Sequence, residues 1–372
     1  MLVAVGVASH LDCDAVLGLR EFHPSAQAGF QLHLQTRDGV IRRADPRMGL
    51  MHRSAEKLFE ARDYRQIMML ANRHDWLSPF ASELGVALAV EAATGITPPE
   101  RATWIRTLLA EANRITAALA FLGAAAPAGA SAEAIRRARE RMVDTHERIT
   151  GARVHPMFAR IGGVAGPLTA AHLDDVEEVI GVIEALQPEL ADAVLSRTDT
   201  LTGVAPLTRA EAIGYGTSGV VARASGLDID LRRDEPYAAY GRLQHLLTVP
   251  TRTDGDAAAR YQVLVEQVPV SVALIAACVT ELRELGDGPV DVPLPKVVRA
   301  PEGVSHAWLE GPLGISGYLL ASVGEKTPWR LKIRSASFNN VQAMGHALTG
   351  TQTTRLADAV ESYFFMVGDA DR

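Results

Sequence analysis

The chain has 372 residues, of which 48% are hydrophobic and 22% are charged, a composition typical of a globular protein and not of a disordered one. Its formal net charge is −7 and its lysines and arginines form no compact cluster, which argues against nucleic acid as a partner and against direct binding to an anionic membrane surface. The two cysteines, Cys13 and Cys278, lie far apart and outside any Cys-x-x-Cys pair. They predict two free thiols in a reducing cytoplasm and are too few to hold an iron–sulfur cluster in this chain.

Neither a secretion signal nor a membrane span is predicted. The opening MLVAVGVASH is apolar but lacks a basic start. The longest uncharged run, residues 115–132, is rich in alanine and carries Pro127 and two glycines, so we expect a buried helix end followed by a loop.

The first fifty residues are predicted to be β structure. The segments FQLHLQT (30–36) and VIRRAD (40–45) flank Arg-Asp-Gly, which indicates an antiparallel hairpin. The stretch DPRMG (45–49) then ends the strands, and a helical region begins.

The middle of the chain is predicted to be helical. Residues 78–95 carry an apolar stripe, and residues 97–123 carry a clearer one, with Thr97 and Glu100 at capping-box spacing and two prolines in the first turn. Four charged residues are expected to lie mostly off the apolar face: Arg101, Arg106, Glu111 and Arg114. The apolar face itself consists of Trp104, Ile105, Leu108, Leu109, Ala112, Ile115, Leu119 and Leu122. Further helices are expected near 131–150, 170–195 and 257–286.

The C-terminal part returns to strands. The segments SHAWLEGP, SGYLLASV and WRLKIRS are separated by turn residues and predict a β-meander, and residues 353–366 predict a last helix. The fold class is therefore α+β. We expect a β region at 1–50, a helical core at 51–300, and a β-meander with a terminal helix at 301–372.

Nine segments, taken in order, resemble one known family. They are HPSA, ADPRMGLMHRSAEKLFEARDYRQ, NRHDWLSPFASELGVALAVE, PPERATWIRTLLAEANRI, RIGGV, ARASGLDIDLRR, PEGVSHAWLEGPLGISGYLLAS, RLKIRSASFNNVQAM and GDADR. Together they are similar to the D subunit of respiratory complex I, a relative of the large subunit of nickel–iron hydrogenases. The resemblance covers the chain from about His23 to Arg372.

The resemblance implies a hydrogenase-like helical bundle in the peripheral arm of a complex. Such a protein packs against a small iron–sulfur subunit and its neighbours, and the two form a chamber in which quinone, the substrate, receives electrons from the partner's last cluster. It implies no metal or flavin in this chain, and a location on the cytoplasmic face of a membrane that is reached only through partners. Hydrogenases hold their metals with two Cys-x-x-Cys pairs; here Asp75 and Ser78 stand at roughly the first pair, and GDADR also lacks cysteine.

Three positions depart from the family pattern. The family loop reads HPxxHG, whereas this chain has Gln27 in place of the second histidine and Ala28 in place of the glycine. The family tyrosine corresponds to Trp76, and a supporting aspartate is expected in AAAPAGA (124–130), which has no acid, although the alignment near Ala128 leaves its position open. Glutamine and tryptophan donate hydrogen bonds but do not exchange protons near neutral pH, so the family mechanism of quinone reduction is put in doubt.

Other candidate residues carry two interpretations each. Glu56 falls on the position of a hydrogenase proton-transfer glutamate, but it also fits a helix-surface ion-pair set. His74 beside Trp76 fits a replacement proton donor or a structural histidine. The arginine–aspartate group fits tuning of a partner's cluster or a buried structural network. The candidate catalytic positions are Gln27, Trp76, Asp75, His74 and Glu56, and the candidate chamber or network positions are His23, His52, Arg53, Arg62 and Arg73.

Three functional hypotheses follow. The chain is an active D-type member of a complex I-like NADH-quinone oxidoreductase, a divergent scaffold protein without quinone reduction, or a stand-alone protein that uses the old chamber for another small molecule. Arg223, Asp230 and Arg232 also match the family and are expected to serve internal hydrogen bonding or subunit contact.

Overall fold

The structure is a computed structural model and describes residues 1–5, 13–20, 22–27 and 29–372. Its N-terminal sheet has the order β2-β1-β3-β4, in which β1 pairs parallel with β2 and antiparallel with β3. These strands are β1 Leu2–Val5, β2 Ala15–Leu17, β3 Phe30–Arg37 and β4 Val40–Arg47. Asp38 and Gly39 join β3 to β4 with φ of 53° and 73°, as a type I′ turn requires, so the predicted hairpin is confirmed.

Twelve helices lie between residues 55 and 285 of the described chain. They are α1 Ala55–Glu60, α2 Ile67–Ala71, α3 Pro79–Thr94, α4 Glu100–Ala125, α5 Ala130–Thr150, α6 Ala170–Ala185, α7 Gln187–Leu195, α8 Thr198–Leu201, α9 Arg209–Tyr215, α10 Gly219–Ala224, α11 Leu231–Asp234 and α12 Ala257–Leu285. The predicted helices near 78–95, 97–123, 131–150 and 257–286 are confirmed. The one near 170–195 divides at Leu186, where Pro188 starts a new helix.

The start of α4 differs from the prediction. The helix begins at Glu100, Pro99 precedes it, and no side chain caps it, so the predicted capping box of Thr97 and Glu100 is wrong. A proline restricts the residue before it to extended backbone, and Pro99 therefore keeps Pro98 out of the helix. The helix starts after both prolines and not around them.

Helix α4 is buried on nearly all sides, packed against α5 and α12. Its predicted apolar face is buried, but so are Arg101, Arg106, Glu111 and Arg114, which were expected to lie mostly off that face. That expectation was wrong because other parts of the chain supply partners: Arg106, for example, bonds to Glu91 at 2.6 Å. Helices α4 and α12 are long and apolar enough to span a membrane, yet 89% and 61% of their most apolar windows are buried inside the protein.

The C-terminal meander is confirmed as a three-stranded antiparallel sheet. It comprises β7 Gly303–Gly311, β8 Gly314–Ser322 and β9 Arg330–Arg334, while the short strands β5 Ala159–Arg160 and β6 Gly163–Val164 form a separate pair. Three helices follow: α13 Ala336–Ala347, α14 Leu356–Glu361 and α15 Val367–Asp371. The predicted last helix is thus shorter than expected, since Phe364 takes a left-handed φ of 45° and breaks it.

Three arginines and three carboxylates form a neutral network inside the fold, which we call the charge core: Glu111, Arg114, Arg223, Asp230, Arg232 and Glu310. Arg232 bonds to Glu111 at 3.1 Å and to Asp230 at 2.7 Å. The two expectations for Arg223, Asp230 and Arg232 are thereby separated, because all three make internal hydrogen bonds. The main hydrophobic core likewise continues from the N-terminal sheet through the helices to the last residues, across the three predicted segments.

Candidate functional site

The loop at residues 22–27 is anchored from beneath by His23. The ring is fully buried; its Nδ1 accepts from the Ser25 backbone N–H, and its Nε2 donates to the Glu361 carbonyl at 3.2 Å. Burial, with Arg20 and Arg197 nearby, lowers the pKa of His23 to about 3. His23 is therefore neutral at physiological pH and holds the loop in place.

Gln27 ends the 3₁₀ turn Pro24–Ala26 and is exposed. Its side chain lines a cleft of about 400 Å³, here called the loop cleft. The other walls come from the start of α3, the second half of α4 and the first half of α5. They include Trp76, Leu119, Ala124, Arg136 and Arg139. The predicted change at Ala28 lies outside the described residues.

Trp76 stands at the start of α3, where Asp75 fixes the backbone. The Oδ1 atom of Asp75 accepts from the N–H groups of Leu77 and Ser78 at 3.1 and 3.0 Å, as a helix-capping carboxylate does. Burial, with Asp369 as a neighbouring carboxylate, raises the pKa of Asp75 to about 7. Asp75 therefore positions Trp76 and carries a proton that it can lose near neutral pH.

On its other side Trp76 lines a second cleft, of about 350 Å³, which we call the arginine cleft. Arg53, Arg73 and Arg372 lie on its walls, with His74 and Gly368. A Cβ atom on Gly368 would lie 2.3 Å from the Trp76 ring and 2.4 Å from the His74 carbonyl oxygen. The C-terminal GDADR segment thus fixes the tryptophan that divides the two clefts.

His74 is 93% buried, since its relative exposure is 7%, and its Nδ1 has no hydrogen-bond partner among the described residues. Burial lowers its pKa; Arg372 acts in the same direction, and Asp369 opposes both. A neutral imidazole with a free nitrogen beside a cleft can accept or relay a proton there. Both interpretations of His74 still stand.

Glu56 and His52 lie away from both clefts, at the protein's C-terminus. Glu56 pairs with Lys332 at 3.0 Å, with Arg330 at 3.1 Å and with the backbone N–H of Ile333. These contacts lower its pKa although burial opposes them. His52 Nδ1 lies 2.6 Å from the backbone oxygen of Asp371. The ion-pair interpretation of Glu56 therefore describes its contacts, with partners that the sequence did not indicate.

The remaining arginines divide between the arginine cleft and the surface. Arg73 lines the arginine cleft and donates to Asn72 Oδ1 at 2.9 Å. Arg53 is exposed at the rim, just before Ser54, whose left-handed φ of 57° explains why a glycine suits this position. Arg62 is exposed, and its only described hydrogen bond runs to the Ala61 carbonyl at 3.5 Å, so it belongs to neither cleft.

Several residues of the clefts were not singled out by sequence reasoning. Arg136, Arg139 and His146 come from α5, a helix predicted only by its periodicity. Gly368 and Arg372 come from GDADR, which was recognised only for lacking cysteine. Neither set had a local signal, because each residue meets Trp76 or its neighbours only in the folded chain. Among the described residues no group of three or more His, Cys, Asp or Glu is placed to hold a metal ion.

A helical protein with a loop and a C-terminal segment converging on two clefts matches one family. The sequence pattern described as "Respiratory-chain NADH dehydrogenase, 49 Kd subunit" fits residues 128–301 and 292–372. The chain belongs to this family, whose bacterial members are named as D subunits of NADH-quinone oxidoreductase, the complex I-type oxidoreductase.

Relatives from several bacteria cover the chain. The first of the numbered NADH-quinone oxidoreductase D subunits of Streptomyces coelicolor is 48% identical over 100% of this chain and 98% of its own length. The second D subunit of Salinispora arenicola is 47% identical over 97% and 95%. The D subunit of Geobacillus thermodenitrificans is 32% identical over 96% and 98%. The similarity therefore extends through both clefts.

Proposed function

We propose that the chain is the D-type member of a complex I-type NADH-quinone oxidoreductase and that the loop cleft receives the quinone headgroup. One observation carries this proposal: Gln27 and Trp76, 49 positions apart, line the same cleft of about 400 Å³. These are the two positions that the family resemblance assigns to contacts with the quinone oxygens. The volume is within the range of about 300–1,000 Å³ that small-molecule sites occupy.

The lining of the loop cleft suits a quinone. Leu77, Leu119 and Ala124 offer apolar walls for the ring. The Gln27 amide and the guanidinium groups of Arg136 and Arg139 offer donors for carbonyl oxygens, which only accept hydrogen bonds. The site therefore holds and polarises a quinone without a titratable side chain at positions 27 and 76.

The arginine cleft suits the side from which electrons arrive. Arg53, Arg73 and Arg372 place positive charge there, and a small iron–sulfur subunit seated over it would hold its cluster on the far side of Trp76 from the quinone. Positive charge raises the potential of a nearby cluster. The cluster belongs to the partner, quinone is the substrate, and the chain reaches the membrane only through its complex. We include in the proposal a hydrogenase-like origin of the helical core.

The test is to purify the complex that contains the tagged chain from its native cells and to measure inhibitor-sensitive quinone reduction. We expect a small iron–sulfur subunit and peripheral-arm neighbours to copurify with activity. Trp76→Ala joins the two clefts, so it should raise KM for quinone at least about fivefold. Exposed His245→Phe should change nothing. A chain that purifies alone would overturn the proposal.

The scaffold hypothesis is the second candidate, and one observation favours it. The only acid on the described walls of the loop cleft is Glu140, and it is bonded to Arg153. The family's pair of titratable side chains therefore has no replacement at the same positions. Recovery of the same partners without quinone reduction, in the wild type, would establish this second function.

A further inference from the structure

A small cavity of about 50 Å³ lies behind the loop cleft, between the start of α3, the middle of α4 and the second half of α5. It shares Trp76, Leu77, Arg139 and Val154 with the loop cleft. The two spaces are thus separated by only a few side chains. Nothing in the family resemblance concerns this cavity.

Three polar atoms around this cavity are buried and have no hydrogen-bond partner among the described residues. They are Asn113 Oδ1, Arg139 Nε and His146 Nε2. Asn113 is oriented by its other amide atom, since Nδ2 donates to the Leu77 carbonyl at 2.8 Å. A buried polar atom without a partner costs about 1–3 kcal/mol, so three at one place call for a ligand.

His146 supplies an acceptor to the cavity. Burial lowers its pKa to about 4, while a bond to the backbone of Ala152 acts in the opposite direction. The ring is therefore neutral at physiological pH. Because Nε2 has no partner, Nδ1 carries the proton and donates it to Ala152, which leaves the lone pair of Nε2 free.

The three groups are complementary to one water molecule. Asn113 Oδ1 and His146 Nε2 accept, Arg139 Nε–H donates, and water offers two donors and an acceptor. Internal waters make about three hydrogen bonds, and a water takes about 30 Å³ of liquid volume, so a cavity of about 50 Å³ has room for one. An anion would lack donors here, and a larger ligand would lack space.

We propose that this cavity is an internal hydration site whose water, held by Asn113, Arg139 and His146, donates the proton to the acceptor reduced in the loop cleft. This inference rests on the proposed function. The partner's cluster supplies two electrons to the quinone. The water O–H bond breaks as the quinol O–H bond forms, and the hydroxide left beside the Arg139 cation takes a proton from solvent at the mouth of the loop cleft. A second cycle completes the quinol.

The test uses three variants of the purified complex. His146→Phe removes the acceptor, whereas His146→Gln keeps an oxygen near the place of Nε2, and exposed His245→Phe is the control. We expect His146→Phe to lower kcat at least about tenfold and to change the solvent isotope effect on kcat, with KM for quinone within about twofold. His146→Gln should restore kcat to within about threefold of wild type.

The same variants need an experimental density map at a resolution that shows waters. We expect a water within hydrogen-bond distance of all three groups in the wild type and none in His146→Phe. A wild-type map without this water overturns the inference even where quinone is reduced. Unchanged kcat and isotope effect in His146→Phe overturn the proton-donor role while leaving the proposed function intact. A wild-type complex that cannot reduce quinone refutes the proposed function, and the proton-donor role with it.

Discussion

The charge core and the loop cleft are both rich in polar side chains, yet they are built in opposite ways. In the charge core, Arg232 satisfies Glu111 and Asp230 at once, and Glu111 also accepts from Tyr240 and Ser271 at 2.5 and 2.6 Å. Around the loop cleft, the atoms Arg139 Nε and His146 Nε2 are buried without partners beside open space. Charge alone therefore does not identify a site in this protein.

The difference concerns what each region can still bind. Paired charges in a packed interior have used their hydrogen-bonding capacity, and they stabilise or specify the fold. Unpaired polar atoms next to a cavity keep theirs for a ligand or a water. The contrast locates the chemistry at the junction of the 22–27 loop, α3 and α5.

The largest expected effect comes from breaking the charge core. Arg232→Met leaves Glu111 and Asp230 buried with one cation fewer, and loss of one partner of a buried pair costs about 3–5 kcal/mol. Urea unfolding of the purified chain, followed by circular dichroism, measures this loss. Arg233→Met is the matched control, because Arg233 pairs with Asp228 and Asp234 at the surface, where such pairs are worth about 1 kcal/mol or less. Equal losses in the two variants would contradict the contrast between buried and surface charge.

A smaller effect is expected where the C-terminus contacts the divider between the clefts. Gly368→Ala places a Cβ atom against Trp76 and the His74 carbonyl, and such overpacking costs about 1–3 kcal/mol. Thermal unfolding should show the loss, and Trp76→Phe in the same chain should relieve part of it. Gly181→Ala, in the open middle of α6, should instead be neutral or stabilise by up to about 1 kcal/mol.

Asp75 should give a pH dependence that the charge core lacks. Its pKa in the folded chain is about 7, above the value of about 3.9 expected when unfolded. The folded state therefore binds an extra proton between about pH 4 and 7, and stability falls as pH rises through that window. Asp75→Asn removes the titration.

Urea unfolding at several pH values checks this prediction. The decline from about pH 4 to 7 should be shallower in Asp75→Asn by at least about 1.4 kcal/mol, the equivalent of one pKa unit. Asp38→Asn, at the exposed hairpin turn, controls for loss of a surface charge. Parallel curves for wild type and Asp75→Asn would show that Asp75 is charged throughout.

Local features of the sequence predicted most of the fold. The β3–β4 hairpin, α3, α5, α12 and the C-terminal meander follow from periodicity and turn residues that are close together in the chain. The buried charges on α4 did not follow, because the partner that lets Glu111 leave water is Arg232, 121 positions away. A charged residue is expected at the surface unless such a partner is known.

The candidate site was predictable to a similar depth. Gln27, Trp76, His74 and Arg73 were identified by matching them to a family pattern. His146 and Gly368 were missed, since the periodicity of α5 and the lack of cysteine in GDADR indicate nothing about Trp76. Arg62 and Glu56 matched the family equally well and lie away from both clefts. A match thus identifies a position and not its contacts.

The smallest expected effect is that of restoring the family histidine. Gln27 is exposed, so Gln27→His should change the free energy of unfolding by less than about 0.5 kcal/mol. The new imidazole would titrate near its ordinary pKa of about 6.5, but the only acid on the described walls of the cleft, Glu140, is engaged by Arg153 and cannot orient it. Trp76 opposite offers a donor that does not titrate.

Quinone reduction by the purified complex should therefore stay within about twofold of wild type in Gln27→His. A rise of tenfold or more would mean that this histidine works without an orienting acid and without a tyrosine opposite it. In His146→Phe, by contrast, the added imidazole faces a cleft without its water, so the same substitution should recover a measurable part of the lost kcat. The pair of measurements asks whether proton delivery belongs to one residue or to the whole junction of loop, α3 and α5.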